Sequence, residues 1–214
     1  MKIINEKHGI KFRIIQPDDF EQTVDLCSQV FANYEPMTKS FKINYKEFKT
    51  LAEPYCRKAI EDGLSIVATD SNGKVVGFVI SEDLMTEPPF LDEISDKFEP
   101  ILTLLHELDS SYTSKNSFES GQILHIFLLG VQDEYKNHKI ATTLVQENLK
   151  LAKSHDFSTS IAEATGLTSQ HIFRKLGFRE EVTFFYDSYT FQGEKIFSSI
   201  KESAGCILMS YSIL

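Results

Sequence analysis

The chain has 214 residues, of which 42% are hydrophobic, enough to bury one sizeable core. Its net charge of -9 argues against a general nucleic-acid binder, because such proteins rely on basic surface for affinity. Three widely spaced cysteines, no signal-like N-terminus and no apolar run of roughly 20 residues predict a cytoplasmic protein without disulfides, metal or membrane partner.

The beginning of the chain predicts a strand followed by a helix. Residues 11–16 are β-prone, and Pro17 with the acids after it is typical of a first helical turn. Apolar residues then recur at helical spacing as far as Phe31. Pro36 should end this helix, because its ring disfavours helical backbone in the residue before it. We therefore expect Glu35 at a helix exit.

A second helix and a hairpin should complete the first half. The helix is predicted at about residues 45–60, with an interruption at Pro54, where the backbone lacks an N–H donor. Strands at 64–69 and 74–81 flank a turn that ends in Gly73, a typical hairpin signal.

The middle of the chain carries a helical insertion, around residues 86–121. One apolar helical face is predicted between Ile94 and Leu108, and a polar loop between Asp109 and Gly121. The periodicity favours a packed structural helix over a mobile lid.

The second half predicts a mixed α/β order. A strongly apolar strand at 123–131 precedes a helix at 140–153. The remaining predicted elements are a strand at 158–163, a helix at 169–176 closed by Gly177, and strands at 182–186 and 206–212.

The junction between the strand at 123–131 and the following helix predicts a phosphate site. The first N–H groups of a helix lack internal acceptors, and the helix dipole favours negative charge at that end. Lys136, His138 and Lys139 add positive charge to the turn. The sequence has neither a dinucleotide nor a P-loop glycine fingerprint, and no H-E-x-x-H or G-x-S-x-G motif.

Two motifs carry a family resemblance. The segment Val131-x-x-Glu134-Tyr135-Lys136-Asn137-His138-Lys139-Ile140-Ala141, with the later Phe173-x-x-Leu176-Gly177-Phe178, resembles the acetyl-CoA-binding core of the GNAT superfamily of N-acetyltransferases. Lys136 stands where Arg or Gln is common, and Lys139 replaces the usual first glycine. The Lys139 side chain must therefore point away from the diphosphate if backbone N–H groups are to bind it.

The resemblance implies an α/β (α+β) fold and a set of coenzyme-binding residues. The fold would have a mixed central sheet of about six or seven strands, splayed at the central strand and flanked by helices. The strand edge at Leu129 and Val131 would pair with the pantetheine arm as an added strand does. The full set implied for acetyl-CoA is Leu129, Gly130, Val131, Lys136, Asn137, His138, Lys139, Ile140, Ala141 and Phe173.

A closer resemblance is to the insect arylalkylamine and dopamine N-acetyltransferase branch of the superfamily. The Glu35-Pro36 pair matches a dipeptide whose glutamate is that branch's proposed general base, and Thr165 and Ser169 stand where assisting hydroxyl residues occur. Many superfamily members have a tyrosine at the position of Phe173, which protonates the departing thiolate. Because this chain has phenylalanine there, no tyrosine can donate a proton from that position. From the residues alone, Glu35-Pro36 is also an ordinary helix ending, and Thr165 or Ser169 an ordinary helix cap.

These observations predict an acetyl-CoA-dependent N-acetyltransferase that acts on the amine of a small molecule. The closer resemblance implies that this amine is an arylalkylamine. Two alternatives stay open: a non-catalytic acyl-CoA-binding or regulatory module, and a protein N-acetyltransferase. The expected partners are acetyl-CoA and the amine, without nucleic acid, and the chain is expected to be one domain over residues 1–214. It would be a monomer or a homodimer, in which the strand at 206–212 could pair across subunits.

Overall fold

A computed structural model describes residues 3–92, 94–115 and 117–213. The described residues form one sheet with helices on both faces. The strands are β1 (Asn5–Lys7), β2 (Ile10–Ile14), β3 (Ile66–Thr69), β4 (Val75–Asp83), β5 (Ile123–Val131), β6 (Thr159–Ala164), β7 (Arg179–Phe185) and β8 (Gly205–Ser212). The helices are α1 (Phe20–Tyr34), α2 (Pro36–Ser40), α3 (Tyr45–Asp62), α4 (Glu99–Thr113), α5 (Ile140–Ser154) and α6 (Leu167–Lys175).

The sheet contains eight strands in the order β1-β2-β3-β4-β5-β6-β8-β7. This confirms the predicted mixed fold, with slightly more strands than the six or seven expected, in part because β1 was not predicted. β8 lies between β6 and β7 and pairs with both. The expectation that this strand could pair across subunits is therefore wrong, because neither of its edges is free.

The parallel pair β5 and β6 separates soon after it begins. The two strands pair only from Ile123 to His125 on β5 and from Thr159 to Ile161 on β6. Beyond this point β5 continues against β4, while β6 continues against β8. The sheet is consequently splayed at its centre, as expected.

Two apolar clusters cover the two faces of the sheet. One packs α1, α3 and α4 against the sheet, with Cys27, Cys56 and Leu104 fully buried. The other packs α5 and α6 against the opposite face, around Leu144 and Phe173. None of the helices in the described part of the chain has the length and apolarity of a bilayer span.

The predicted interruption of the second helix at Pro54 is wrong. α3 is continuous through this proline. A proline removes the N–H that would bond the carbonyl one turn earlier, but burial on both sides of Pro54, at Leu51, Tyr55 and Cys56, holds the helix together. At its start, Asn44 and Glu47 form a capping box.

The insertion helix lies five residues further toward the C-terminus than predicted, so the expected loop at 109–121 is wrong over its first five residues. α4 extends to Thr113, while Ile94 precedes it. Ser111 and Thr113 donate their hydroxyls to the carbonyls of Glu107 and Asp109, at 2.7 and 2.9 Å. These polar residues therefore satisfy their side chains within the helix rather than ending it.

Candidate active site

The gap between β5 and β6 is lined by the unpaired backbone edge of β5. The Gln132 N–H donates to the Val76 carbonyl of β4 at 2.9 Å. Because alternate residues of a strand direct their backbone groups to opposite edges, Gly130 also faces β4. The N–H and C=O groups of Leu129 and Val131 then face the gap, so they can hydrogen-bond an extended ligand.

Gly130 allows α1 to pack closely over this part of β5. A Cβ atom at Gly130 would lie 2.4 Å from Phe78 Cζ and 3.1 Å from Val30 Cγ1. Any larger residue would displace either the Phe78 ring or the helix. Gly130 thus sets the position of α1, whose last residue directly precedes Glu35.

The turn after β5 takes backbone conformations typical of glycine. Asn137 and Lys139 both have left-handed φ values, of 66° and 59°. Lys139 is the N-cap of α5, and its side chain makes no capping hydrogen bond. Thr143 N–H bonds the Lys139 carbonyl at 2.9 Å, so the N–H groups at 140–142 precede the first intrahelical bond. These donors are available to an anion.

The charged side chains of the turn lie mostly at the surface. Lys136 is ion-paired with Asp133, and its Nζ lies 3.7 Å from the centre of the Tyr34 ring. The hydrogen bond with Asp133 raises the pKa of Lys136. His138 and Lys139 are exposed, whereas Ile140 is buried. The contact with Tyr34 joins the turn to the end of α1.

Glu35 lies between two helices rather than at a simple helix exit. α1 ends at Tyr34 as predicted, but Pro36 also begins α2, a helix that was not predicted. The Glu35 carboxylate accepts the N–H groups of Met37 at 3.0 Å and Thr38 at 2.5 Å. These two bonds fix the orientation of the carboxylate, and each oxygen keeps a lone pair that could accept a proton.

The loop after β6 lies against the Glu35-Pro36 junction. A Cβ atom at Gly166 would be 3.4 Å from Pro36 Cγ. Ser169 Oγ donates to the Gly166 carbonyl at 2.9 Å and accepts the Gly166 N–H at 3.4 Å, and this second bond caps the start of α6. The buried Tyr186 hydroxyl donates to the Thr165 carbonyl at 2.8 Å. Burial raises the pKa of Tyr186, with smaller effects from Cys206 and Glu35.

Phe173 packs inside the apolar cluster beneath α6. Its exposed fraction is 3%, and its ring centre is 4.9 Å from that of Phe178. Phe173 is a core residue of α6, and a contact with coenzyme A stays a prediction.

A buried polar cluster on the α3 and α4 face of the sheet was missed from the sequence. His125 of β5 has Nε2 at 2.7 Å from Glu163 Oε2 of β6 and Nδ1 at 3.3 Å from Glu82 Oε1 of β4. Asp109 of α4 adjoins the same group. The sequence did carry one signal for this cluster, which is His125 within the apolar strand between Leu124 and Ile126. An ionisable residue in a buried strand indicates polar partners nearby, because such residues are rarely buried without them.

The electrostatics of the buried cluster follow from burial and mutual charge. Burial by itself lowers the pKa of His125, but the Glu163 carboxylate and the hydrogen bonds to Glu163 and Glu82 raise it well above its usual value. Burial acts to raise the pKa of Glu163, yet the charge of His125 holds it below the ordinary value. Burial, followed by the like charge of Glu163, raises the pKa of Asp109 to about 9.

Comparison with solved structures finds the same fold in proteins of low sequence identity. Arylalkylamine N-acetyltransferase 2 from Aedes aegypti superposes with a TM-score of 0.84 at 22% identity, covering 97% of this chain and 100% of that one. The C-terminal condensation domain of Ebony, solved with beta-alanyl-dopamine, superposes with a TM-score of 0.85 at 17% identity. The match covers 95% of this chain and 98% of the Ebony domain. A Drosophila melanogaster polyamine N-acetyltransferase superposes with a TM-score of 0.74 at 17% identity, and the match covers 95% of this chain and 99% of that one.

Comparison with protein-family models identifies the family. Residues 33–178 match the model described as "Acetyltransferase (GNAT) family", which covers more than half of the chain and includes Glu35, the turn after β5 and the start of α6. The predicted superfamily and fold are confirmed. The chain therefore belongs to the acetyltransferase (GNAT) family and is an acyltransferase.

Proposed function

We propose that this protein transfers an acetyl group from acetyl-CoA to the amine of a small molecule. The observation that carries the proposal is the gap between β5 and β6. On the side of β5 that faces the gap, the backbone groups of Leu129 and Val131 have no strand partner in the described chain. The turn after β5 then leads to the free first turn of α5. An extended pantetheine arm has amide groups that can pair with such an edge.

The coenzyme's diphosphate would bind at the start of α5. The N–H groups at 140–142, which include those of Ile140 and Ala141, are free of intrahelical acceptors, and the helix dipole adds a favourable field. The left-handed backbone at Asn137 and Lys139 turns the chain into the helix as glycine would. Lys136 and His138 would contribute long-range attraction, while the backbone supplies the fixed donors.

Glu35 is proposed as the general base. A primary amine with a pKa of about 10 is almost fully protonated at neutral pH, so it must lose a proton before its nitrogen can attack the thioester carbonyl. The carboxylate of Glu35 would take that proton, directly or through water. The Leu129 N–H of β5, which faces the gap, would donate to the oxyanion.

The leaving thiolate needs little assistance. An ordinary thiol has a pKa of roughly 8.5, so the coenzyme thiolate is a good leaving group. Ser169 and Thr165 are proposed to assist from the loop that adjoins Pro36. Because the Ser169 hydroxyl already donates to Gly166, its share in proton transfer would require that bond to be exchanged.

The acceptor is proposed to be a small amine, with an arylalkylamine as the first class to test. Aromatic side chains precede Glu35 on α1, where Phe31 stacks on Phe48 with ring centres 4.9 Å apart and Tyr34 lies half exposed. The structural neighbours are named for arylalkylamines and for polyamines, so both classes belong in a screen.

We also propose that residues 1–214 form a single domain, since one sheet extends through the described residues. We propose a cytoplasmic location as well, since the three cysteines are free and buried.

The decisive experiment combines coenzyme binding with a screen for coenzyme A release. Calorimetry with acetyl-CoA and longer acyl-CoAs tests the site, and a thiol assay with arylalkylamines, polyamines and peptide N-termini tests turnover. Release with a small amine is the expected result. Tight coenzyme binding without turnover on the full panel would instead favour a regulatory module, and turnover only on peptides would favour a protein acetyltransferase. Absence of coenzyme binding would overturn the proposal.

A further inference from the structure

We propose that Asp109, His125 and Glu163 form a binding site for a divalent first-row transition metal such as Zn²⁺. The proposal does not depend on acyl transfer. It departs from the expectation drawn from the sequence, which considered only the spacing of cysteine and histidine along the chain. Here the three residues come from α4, β5 and β6, and the fold brings them together.

The donor atoms lie close enough together for one ion to reach all three after small side-chain movements. One ligand atom from each of the three residues lies within 4.8 Å of the others. A point central to them is then within about 2.8 Å of each donor, compared with roughly 2.0–2.2 Å in zinc sites. Side-chain movements of under an ångström would complete three bonds. One imidazole nitrogen and two carboxylate oxygens are ligands that zinc accepts.

The second observation is a set of buried oxygens without hydrogen-bond partners. Glu163 Oε1, Asp109 Oδ1 and Glu82 Oε2 are all buried and accept no hydrogen bond from the rest of the described chain, apart from a contact between the Asp109 and Glu163 carboxyl groups themselves. The Glu163 side chain is only 3% exposed. A buried, unpaired carboxylate oxygen carries a large desolvation cost, which a bound cation would remove. The two ligand carboxylates also balance the charge of a dication.

Glu82 is placed to hydrogen-bond the proposed ligand His125 without binding the metal itself. It faces His125 Nδ1 at 3.3 Å, while Nε2 points toward Glu163. In metal sites a carboxylate commonly accepts the ring N–H that is not needed for ligation, and so fixes the tautomer and the ring orientation. A bound ion would replace the present contact between His125 Nε2 and Glu163, leaving the Glu82 contact in place.

The consequence for the fold is a cross-link beside the gap in the sheet. His125 is the last β5 residue paired with β6, and Glu163 lies two residues beyond the end of that pairing. Asp109 belongs to the insertion helix α4. A metal held by all three would tie α4 to both diverging strands, and should raise thermal stability because it binds only the folded chain.

The test is zinc uptake by the complete protein after treatment with a chelator and dialysis against Zn²⁺. We expect one zinc per chain by elemental analysis, with a higher Tm than in the chelated protein. Glu163→Gln and Asp109→Asn keep the side-chain shapes but remove ligand charge, and each should weaken zinc binding at least tenfold. Glu180→Gln, at an exposed carboxylate paired with Arg174, is the control and should bind zinc as the original protein does.

Two outcomes would overturn the proposal: no retained zinc, or the same zinc affinity in both substituted proteins as in the original. If neither variant folds, Co²⁺ added to the unsubstituted protein decides the question. The paramagnetic ion must then perturb the NMR signals of the buried His125 ring. Perturbation of only the other histidine rings would show surface binding and would equally refute the site.

Discussion

At the scale of single residues, Glu35 combines a structural and a proposed chemical role. Its carboxylate caps α2 through the N–H groups of Met37 and Thr38. The same side chain is the proposed base. Substitution by alanine would remove both roles at once, so alanine alone cannot separate loss of a base from loss of a helix cap.

Glu35→Gln should separate these roles. Glutamine retains an amide oxygen that can accept an N–H of α2 but cannot take a proton from the amine. We expect the rate of coenzyme A release to fall by about 10²-fold or more, since that is the usual contribution of a general base. Glu35→Ala should lose a similar rate and also about 1 kcal/mol of unfolding free energy from the lost cap.

Steady-state kinetics and urea unfolding measure the two effects of these Glu35 variants. Glu53→Gln, at a half-exposed position of α3, is the control and should leave both unchanged. A rate for Glu35→Gln equal to that of the original protein at every pH would remove Glu35 from the mechanism.

Lys139→Gly tests whether backbone or side chain binds the diphosphate. Lysine at a φ of 59° carries a strain of roughly 1 kcal/mol that glycine does not, although glycine gains freedom in the unfolded chain. We expect unfolding free energy to rise by about 1 kcal/mol or less. Loss of one exposed charge should change coenzyme affinity by less than about tenfold.

Calorimetry with coenzyme A and urea unfolding measure both effects of Lys139→Gly. Lys139→Ala is the matched control, because it removes the charge and keeps the strained conformation. Complete loss of coenzyme binding in Lys139→Gly would show that the lysine side chain, rather than the backbone, provides the site.

At the scale of elements, the two edges of β5 should differ in hydrogen exchange. Gly130 faces β4, whereas the amides of Leu129 and Val131 face the gap. In the free protein we expect faster exchange at Leu129 and Val131 than at Gly130. Coenzyme A should slow exchange at these two amides if it binds as an added strand, and NMR-detected exchange measures this. Unchanged exchange at saturating coenzyme would exclude backbone pairing in the gap.

The packing of α1 on β5 gives a prediction of stability. Gly130→Ala would place Cβ at 2.4 Å from Phe78 Cζ, so the ring or the helix must move. We expect a loss of about 1–3 kcal/mol in unfolding free energy, typical of an overpacked core. Gly166→Ala, whose Cβ would make an ordinary contact at 3.4 Å, should be nearly neutral in the same urea titration. Equal effects of the two substitutions would contradict this account.

At the scale of the whole molecule, β8 joins the last part of the sheet to the centre. It is hydrogen-bonded to β6 on one edge and to β7 on the other. Truncation before Gly205 would therefore expose one edge of β6 and one edge of β7. It would also remove Cys206 and Leu208 from one apolar cluster and Met209 from the other. We expect loss of the cooperative unfolding transition, measured by circular dichroism during heating.

The control for this truncation is removal of the residues before Ile10. These include β1, an edge strand that pairs only with β2, so cooperative folding should persist. A cooperative transition in the chain truncated before Gly205 would mean that β8 is dispensable for the central sheet.

Local pattern in the sequence determined most elements and the outline of the coenzyme site. Alternation and apolar runs predicted β2 to β8, since the pattern of apolar residues within a strand is a local signal. The bounds of β5 and the start of α5 agree with the prediction, because a polar turn separates two strongly periodic segments. The family motif at 131–141 and the glycine at 177 were likewise local signals.

Only the tertiary structure decided features that depend on contacts between distant segments. α3 passes through Pro54 because its buried face outweighs one lost hydrogen bond, and α4 continues past Leu108 to Thr113, with the Asp109 Oδ1 atom buried beside His125 and Glu163. The group formed by Glu82, Asp109, His125 and Glu163 unites four elements. No spacing along the chain encodes such a group, because the distances between its members are set by how β5 and β6 separate and by how α4 packs over them.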